Sequence, residues 1–240
     1  MSKIHIEDIK EELSKKNWKV ISEEYINLDT EMIFECDEGH KVYTTWGKLR
    51  NKLKCPFCES NKFKKIDSKK PAIKNTDTVI LALDQATYIT GWSVYINKQL
   101  IQYGIFTTNS DNEIERDYNL KIWLINMIDK WKPDCIALEG IQYQENKGIT
   151  TYAVLARLQG ILMETIYEIK IPYLICPTPT WRNYCGVKGK TKADMKRSMQ
   201  NLVKKWYDIS ITNDEADAIG IGKYVSEQFV KNKIVVDFGE

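Results

Sequence analysis

The chain has 240 residues, 43% of them hydrophobic, and a formal net charge of +2. That is enough apolar material for a packed core without disulfide support, and no apolar stretch reaches the roughly 20 residues needed to cross a bilayer. The opening MSKIHIEDIKEELSKK is charged throughout and lacks the apolar segment of a secretory signal, so the six cysteines do not read as a disulfide framework, and a cytoplasmic protein with no membrane association is expected.

In chain order, Ile6, Ile9 and Leu13 predict a short opening helix, WKVIS (18–22) and MIFEC (32–36) two strands, and TTWGKLRNKL (44–53) a short helix. The polar, basic stretch SNKFKKIDSKKPAIKNTDT (60–78) lacks apolar periodicity and reads as a linker. The expected organisation is a small module over 1–62, a basic linker over 63–77 and a larger domain over 78–240. That domain opens on three strand candidates, VILALD (79–84), TGWSVYI (90–96) and LIQYGIFTT (100–108), separated by polar residues as in an antiparallel meander. A helix follows over 112–131, with Ile114, Tyr118, Ile122, Ile125 and Ile128 near helical spacing and Pro133 beyond its end. Then come the buried strand CIALE (135–139), a long helix over 149–170, the strand PYLIC (172–176), and helices over 191–207 and about 214–229. Meander strands followed by strands alternating with helices predict a mixed α/β sheet flanked by helices.

Charge is unevenly placed. Residues 41–75 carry a net +9 and residues 182–206 a net +7 in a nearly neutral chain. Such patches suit a polyanion; solubilising lysines are the plainer alternative.

Within the first module, CDEGH and CPFC supply Cys36, His40, Cys55 and Cys58. Paired ligands at short spacing are what a tetrahedral structural zinc requires, and His40 is one of only two histidines in the chain. A module of this size has a small core, so one zinc ion would chiefly hold its fold. Between the ligand pairs, KVYTTWGKLRNKLK interleaves aromatics and bases. Trp46 reads as core, and Lys48, Arg50, Lys52 and Lys54 as DNA-facing. Residues 15–60 resemble the small zinc modules attached to phage and mobile-element nucleases.

In the second domain, Asp84 and Glu139 each end an apolar strand, and NDEADAIGIGKY offers Asp214 and Asp217 at i and i+3 of a late helix. Asn213 or Asp214 could also cap that helix. Carboxylates brought together repel, and hard divalent cations such as magnesium or manganese are the natural compensation. The region after residue 60 contains no histidine, which excludes a Ser–His or Cys–His couple within it. Cys135 and Cys176 lie in apolar strands and read as core. Cys185 reads as a basic-loop residue without a role.

ILALDQATYITGWSVY, IALEGIQYQEN, YAVLARLQGIL and DEADAIGIGKY together resemble the RuvC family of Holliday junction resolvases, within the RNase H-like superfamily, over about 78–230. The resemblance implies an RNase H-like sheet, a homodimer acting on branched DNA, and two magnesium or manganese ions held by Asp84, Glu139, Asp214 and Asp217. It also implies basic contacts to the scissile phosphate, for which Lys190, Lys192 and Lys196 stand in GKTKADMK, with Lys192 in the matching place and Arg182 nearby. The family inserts an aromatic at the junction centre; here Gln142 holds the matching position and Tyr143 follows it. The apolar faces of helix 149–168 suit the implied dimer or, alternatively, an enclosed core helix. Flap, fork or RNA–DNA hybrid cleavage, or non-catalytic zinc-dependent DNA binding, are the alternative functions. An actin-like ATP-binding fold would need glycine-rich phosphate loops that the sequence lacks.

Overall fold

The computed structural model describes residues 4–65, 73–108, 110–143 and 148–232. The chain divides into two compact units, Met1–Asn61 and Lys62–Glu240. No described helix is long and apolar enough to cross a membrane.

In the first unit, α1 (Ile6–Ser14) packs Ile9 and Leu13 against a three-stranded antiparallel meander, β1 (Lys19–Val20), β2 (Glu31–Glu35) and β3 (Lys41–Thr45). Its core adds Trp18, Met32, Phe34, Val42, Trp46 and Leu49, with the Phe34 and Trp46 rings 6.3 Å apart. Trp46 therefore lies in the core, as expected. Thr45 caps the short α2 (Trp46–Leu49) by accepting from the Lys48 amide. α3 (Pro56–Ser60) follows Cys55. Thr44 and Thr45, expected in the short helix, belong to β3, where a five-residue register with β2 makes them strand.

The second unit is a six-stranded mixed sheet in the order β4–β7–β6–β5–β8–β9. Its strands are β4 (Asn61–Lys65), β5 (Val79–Asp84), β6 (Ile89–Ile96), β7 (Gln99–Thr107), β8 (Cys135–Gly140) and β9 (Tyr173–Pro177). β5, β6 and β7 form the antiparallel meander; β8 pairs parallel with both β5 and β9. Residues 63–65, expected in the linker, are part of edge strand β4, and 66–72 lie outside the described residues.

Strand alternation assigns the two faces of β6. Trp92 faces α4 (Glu113–Trp131), where Trp92, Phe106 and Trp123 form an aromatic layer with centroids 5.0–6.1 Å apart. Ser93 and Tyr95 face α8 (Asn213–Asn232) and donate to the carbonyls of Ala218 and Ile219 at 2.7 and 2.9 Å. The apolar stripe read along α4 is partly the wrong one. Ile114 and Tyr118 are 62% and 48% exposed, whereas Leu120, Trp123, Leu124, Met127 and Trp131 fill the core. α4 is apolar on more than one side, and the bulkier tryptophan face wins the sheet. α5 (Gly148–Glu168) is tied to α4 by Arg157, 2.8 Å from the nearly inaccessible Asp117 and 3.2 Å from Glu113.

Two further helices lie on the α8 side, α6 (Thr178–Cys185) and α7 (Lys192–Tyr207). α6 is absent from the sequence reading, and it corrects the placement of Cys185. That residue is not in an open loop: it ends α6, is buried, and its thiol donates to the Gly220 carbonyl at 3.5 Å. Burial pushes the thiols of Cys135, Cys176 and Cys185 up to about 12, consistent with core packing.

Gly91 governs how the first turn of α8 meets the sheet. Gly91 pairs with Asp84 in the β5–β6 register, and a Cβ there would lie 2.0 Å from the Asp214 carbonyl oxygen. Gly91→Ala must push the first turn of α8 off the strand. It is expected to cost about 1–3 kcal/mol, as overpacked sites do, read as a lowered midpoint in urea unfolding.

Candidate active site and metal centre

The first unit gathers four soft donors. The ligand atoms of Cys36, His40, Cys55 and Cys58 all lie within 4.8 Å of one another. A tight turn between β2 and β3 presents the first pair: Gly39, at φ +80°, lets the Cys36 carbonyl accept from its own amide. The start of α3 presents the second pair, with the Cys58 amide 3.4 Å from Cys55 Sγ. Cys36 Sγ is 3.6 Å from His40 Nδ1 and 3.8 Å from Cys58 Sγ, and His40 Nδ1 is 3.2 Å from Cys58 Sγ and 3.7 Å from Cys55 Sγ. Zinc–sulfur bonds of about 2.3 Å arranged tetrahedrally place ligands about 3.8 Å apart, so the set fits zinc. Hydrogen bonds from Cys55 and Cys58 hold the Cys36 thiol far below its ordinary range, while contact with Cys36 pushes the other two up, Cys55 to about 12. Thiols this close cannot all ionise without a cation among them.

The second unit gathers hard donors. Asp84 ends β5 and Glu139 lies near the end of β8; parallel pairing sets Leu83 beside Leu138, so the next residue of each strand leaves the same sheet edge. Asp214 and Asp217 occupy the first turns of α8, brought close by the bare Gly91 backbone. The helix is capped by Thr212 and Glu215, each accepting from the other's amide, and not by Asn213 or Asp214. The four acids line one cleft of about 260 Å³ together with Thr178, Arg182, Met195, Lys192 and Lys196.

The acids are not equivalent. Burial, then the neighbouring charges of Glu139 and Asp217, raise the Asp84 carboxyl well above its usual range. Burial raises Asp217 to about 6 even though the Arg182 guanidinium, 3.0 Å away, and Lys196 pull it down. Glu139 Oε1 accepts from Thr178 Oγ1 at 3.0 Å and from Trp181 Nε1 at 3.2 Å. Its backbone carbonyl accepts from Gln85 and Gln159, and its amide donates to Gln85.

Of the basic residues singled out in sequence, Arg182, Lys192 and Lys196 line the cleft, and Arg182 turns onto Asp217 instead of standing open for DNA. Lys190 is exposed and is not among the lining residues. Tyr143 is exposed and meets Tyr152 edge-on at 6.0 Å; Tyr152 and Gln142 line a neighbouring pocket that shares Glu139 and Thr178 with the cleft. In the first unit, Lys48, Lys52 and Lys54 line a groove of about 330 Å³ with Tyr43, though Lys54 is already paired with Glu59 at 2.7 Å; Arg50 is exposed beside it. Four residues escaped the sequence reading: Thr178, Trp181, Gln85 and Gln159. The first two had a usable signal. TPTWRNYCG places proline just inside a helix start and glycine just past its end, and Thr178, Trp181 and Arg182 at i, i+3 and i+4 share one face.

The raised acids set a pH dependence. A carboxyl at about 6 when folded and near 3.9 when unfolded keeps its proton longer in the folded state, so stability falls as pH rises through that window. In chelating buffer, acidification from pH 7 to pH 5 is expected to raise the urea midpoint of the wild type more than that of Asp217→Asn. Equal responses would contradict the assignment.

No protein-family model matches the chain. The chain is 26% identical over 147 residues to the crossover junction endodeoxyribonuclease RuvC of Petrotoga mobilis, covering 59% of this chain and 88% of that protein. It is 26% identical over 152 residues to the same enzyme of Halothermothrix orenii, covering 60% and 88%. Among solved structures, Thermus thermophilus RuvC in complex with Holliday junction substrate superposes with a TM-score of 0.54 at 11% identity, over 65% of this chain and 97% of that one. A structure of Thermus thermophilus RuvC by itself gives 0.51 at 14% identity, over 64% and 96%. In sequence and in fold, the chain is RuvC-like.

Proposed function

We propose that the protein is a metal-dependent endonuclease that resolves four-way or branched DNA by phosphodiester hydrolysis. In this reading, the first unit is a zinc-bearing DNA-contacting module and the second unit, with β4 in its sheet, is the nuclease domain. The observation that carries it is the convergence of Asp84, Glu139, Asp214 and Asp217 on one cleft edged by Arg182, Lys192 and Lys196, in a RuvC-like fold.

Two magnesium or manganese ions held by the four acids would supply an activated water and stabilise the leaving oxygen. The chain's own residues prepare for this. Asp84, whose carboxyl feels the charges of Glu139, Asp217 and Asp214, would be the central ligand. Thr178 and Trp181 fix one oxygen of Glu139 and so orient the other. Arg182 keeps Asp217 aligned and limits its protonation. Lys192 and Lys196, at the start of α7, bring positive charge to the scissile phosphate. In this reading the exposed Tyr143 is the aromatic that meets a base at the branch point. In the first unit, Lys48, Arg50 and Lys52 engage phosphates, and one zinc ion on Cys36, His40, Cys55 and Cys58 holds the fold.

The half-exposed apolar side chains of α5, Val154, Leu155, Ile161 and Met163, support a homodimer with two clefts cutting opposed strands. Buried Leu158, Leu162 and Ile166 form the inward stripe of the same helix, and the half-exposed residues flank it.

With magnesium, the purified protein is expected to cut a synthetic four-way junction into nicked duplexes. Asp84→Asn should bind the junction yet cut at least roughly a thousandfold more slowly, the effect of losing several kcal/mol of transition-state stabilisation. A panel of junctions, flaps, forks and RNA–DNA hybrids, scored with and without magnesium, separates the substrates; equal cleavage of linear duplex removes the junction-selective reading. Metal analysis is expected to find about one zinc per chain, lost in Cys36→Ser.

A further inference from the structure

We infer that Gln85 and Gln159 are positioning residues for Glu139: a buried pair of amides that clamps the backbone of this acid and thereby aims its carboxylate into the cleft. The inference rests on the metal-dependent reading above and assigns it two further residues.

The geometry is a two-sided grip. Gln85 Nε2 donates to the Glu139 carbonyl at 2.7 Å, and Gln85 Oε1 accepts from the Glu139 amide at 3.0 Å. One side chain thus satisfies both backbone groups of a single residue. The β5–β8 ladder runs as far as Leu83 and Leu138, so the side chain of Gln85 replaces the rungs that the diverging backbones no longer supply. From the other side, Gln159 of α5 donates to the same carbonyl at 2.9 Å. The carbonyl has two lone pairs, and the two glutamines use both.

Burial makes the arrangement informative. Gln85 is 5% and Gln159 8% exposed. Dehydrating a primary amide is unfavourable unless its hydrogen bonds are made, and an apolar residue would fill the same space without that demand. Glutamine is also the side chain the site tolerates: it offers donor and acceptor together, at a distance matching a backbone N–H and C=O, and adds no charge beside four carboxylates. Glutamate lacks the donor, and lysine lacks the acceptor. With Thr178 and Trp181 holding the Glu139 carboxylate, this residue is fixed at both ends, by β5 and α5 at the backbone and α6 at the side chain. Groups that orient a ligating carboxylate tune metal affinity without touching the metal.

The test reads metal binding directly. The full-length, zinc-loaded protein is titrated with Mn²⁺ and followed by electron paramagnetic resonance, with Asp84→Asn as the blank for the cleft. Gln85→Met keeps the length of the side chain and removes both amide groups. It is expected to weaken Mn²⁺ binding about tenfold, while metal-free junction binding and near-ultraviolet circular dichroism stay those of the wild type. In cleavage assays the same variant should need more Mg²⁺ for half-maximal rate and recover most of the rate at saturation. A role confined to holding the fold would lower the rate without moving the metal dependence. Should Gln85→Met fail to fold, Gln159→Met carries the test, with a smaller loss in the same direction because it removes one bond. Unchanged Mn²⁺ affinity in the glutamine variants, with binding abolished in Asp84→Asn, overturns the inference and leaves the nuclease reading standing. Absence of cleft-bound Mn²⁺ in the wild type overturns both.

Discussion

Carboxylates drawn together in a partly dehydrated cleft repel one another, and much of the second unit either brings them there or offsets that cost. The parallel pairing of β5 with β8 ends two apolar strands on adjacent acids. The bare backbone of Gly91 admits the first turn of α8 with two more. Burial, and for Asp84 also the neighbouring acids, raises the carboxyls of Asp84 and Asp217. Arg182, Lys196 and the donors on α6 relieve part of it, and divalent cations are the chemistry that would relieve the rest.

The first unit solves a related problem with different atoms. Three thiols and an imidazole meet within a few ångströms, close enough to share one ion. Soft sulfur and nitrogen in a closed tetrahedral set suit zinc; hard oxygens on an open cleft suit magnesium or manganese. The two donor sets are sorted by softness into separate units.

The positive charge of the chain is similarly divided by role. Of the basic residues that stand out as runs in the sequence, some are spent within the protein. Arg182 is committed to Asp217 and Lys54 to Glu59. Composition reports how many charges a segment has, and partner choice decides how many remain for a ligand.

The acids, the Cys/His ligands and the order of strands and helices were legible in the sequence because each is a local signal. An apolar run ending in a carboxylate, short ligand spacings and a period of two or 3.6 residues depend only on neighbours along the chain. Helix α6 went unread because it is short and its start is flanked by Pro177 and Pro179, a pattern that resembles a loop; Trp181 anchors it in the core. The buried stripe of α4 was misplaced because a helix apolar on several sides chooses its face by the volume it can fill against Trp92 and Phe106, which only packing reveals. The same holds for Gln85 and Gln159, 74 positions apart by number and joined at one carbonyl. The sequence by itself determined which chemistries the chain has to offer. The tertiary structure decided which groups face one another, since hydrogen bonds and charge interactions depend on separation in space, and distance along the chain says little about that.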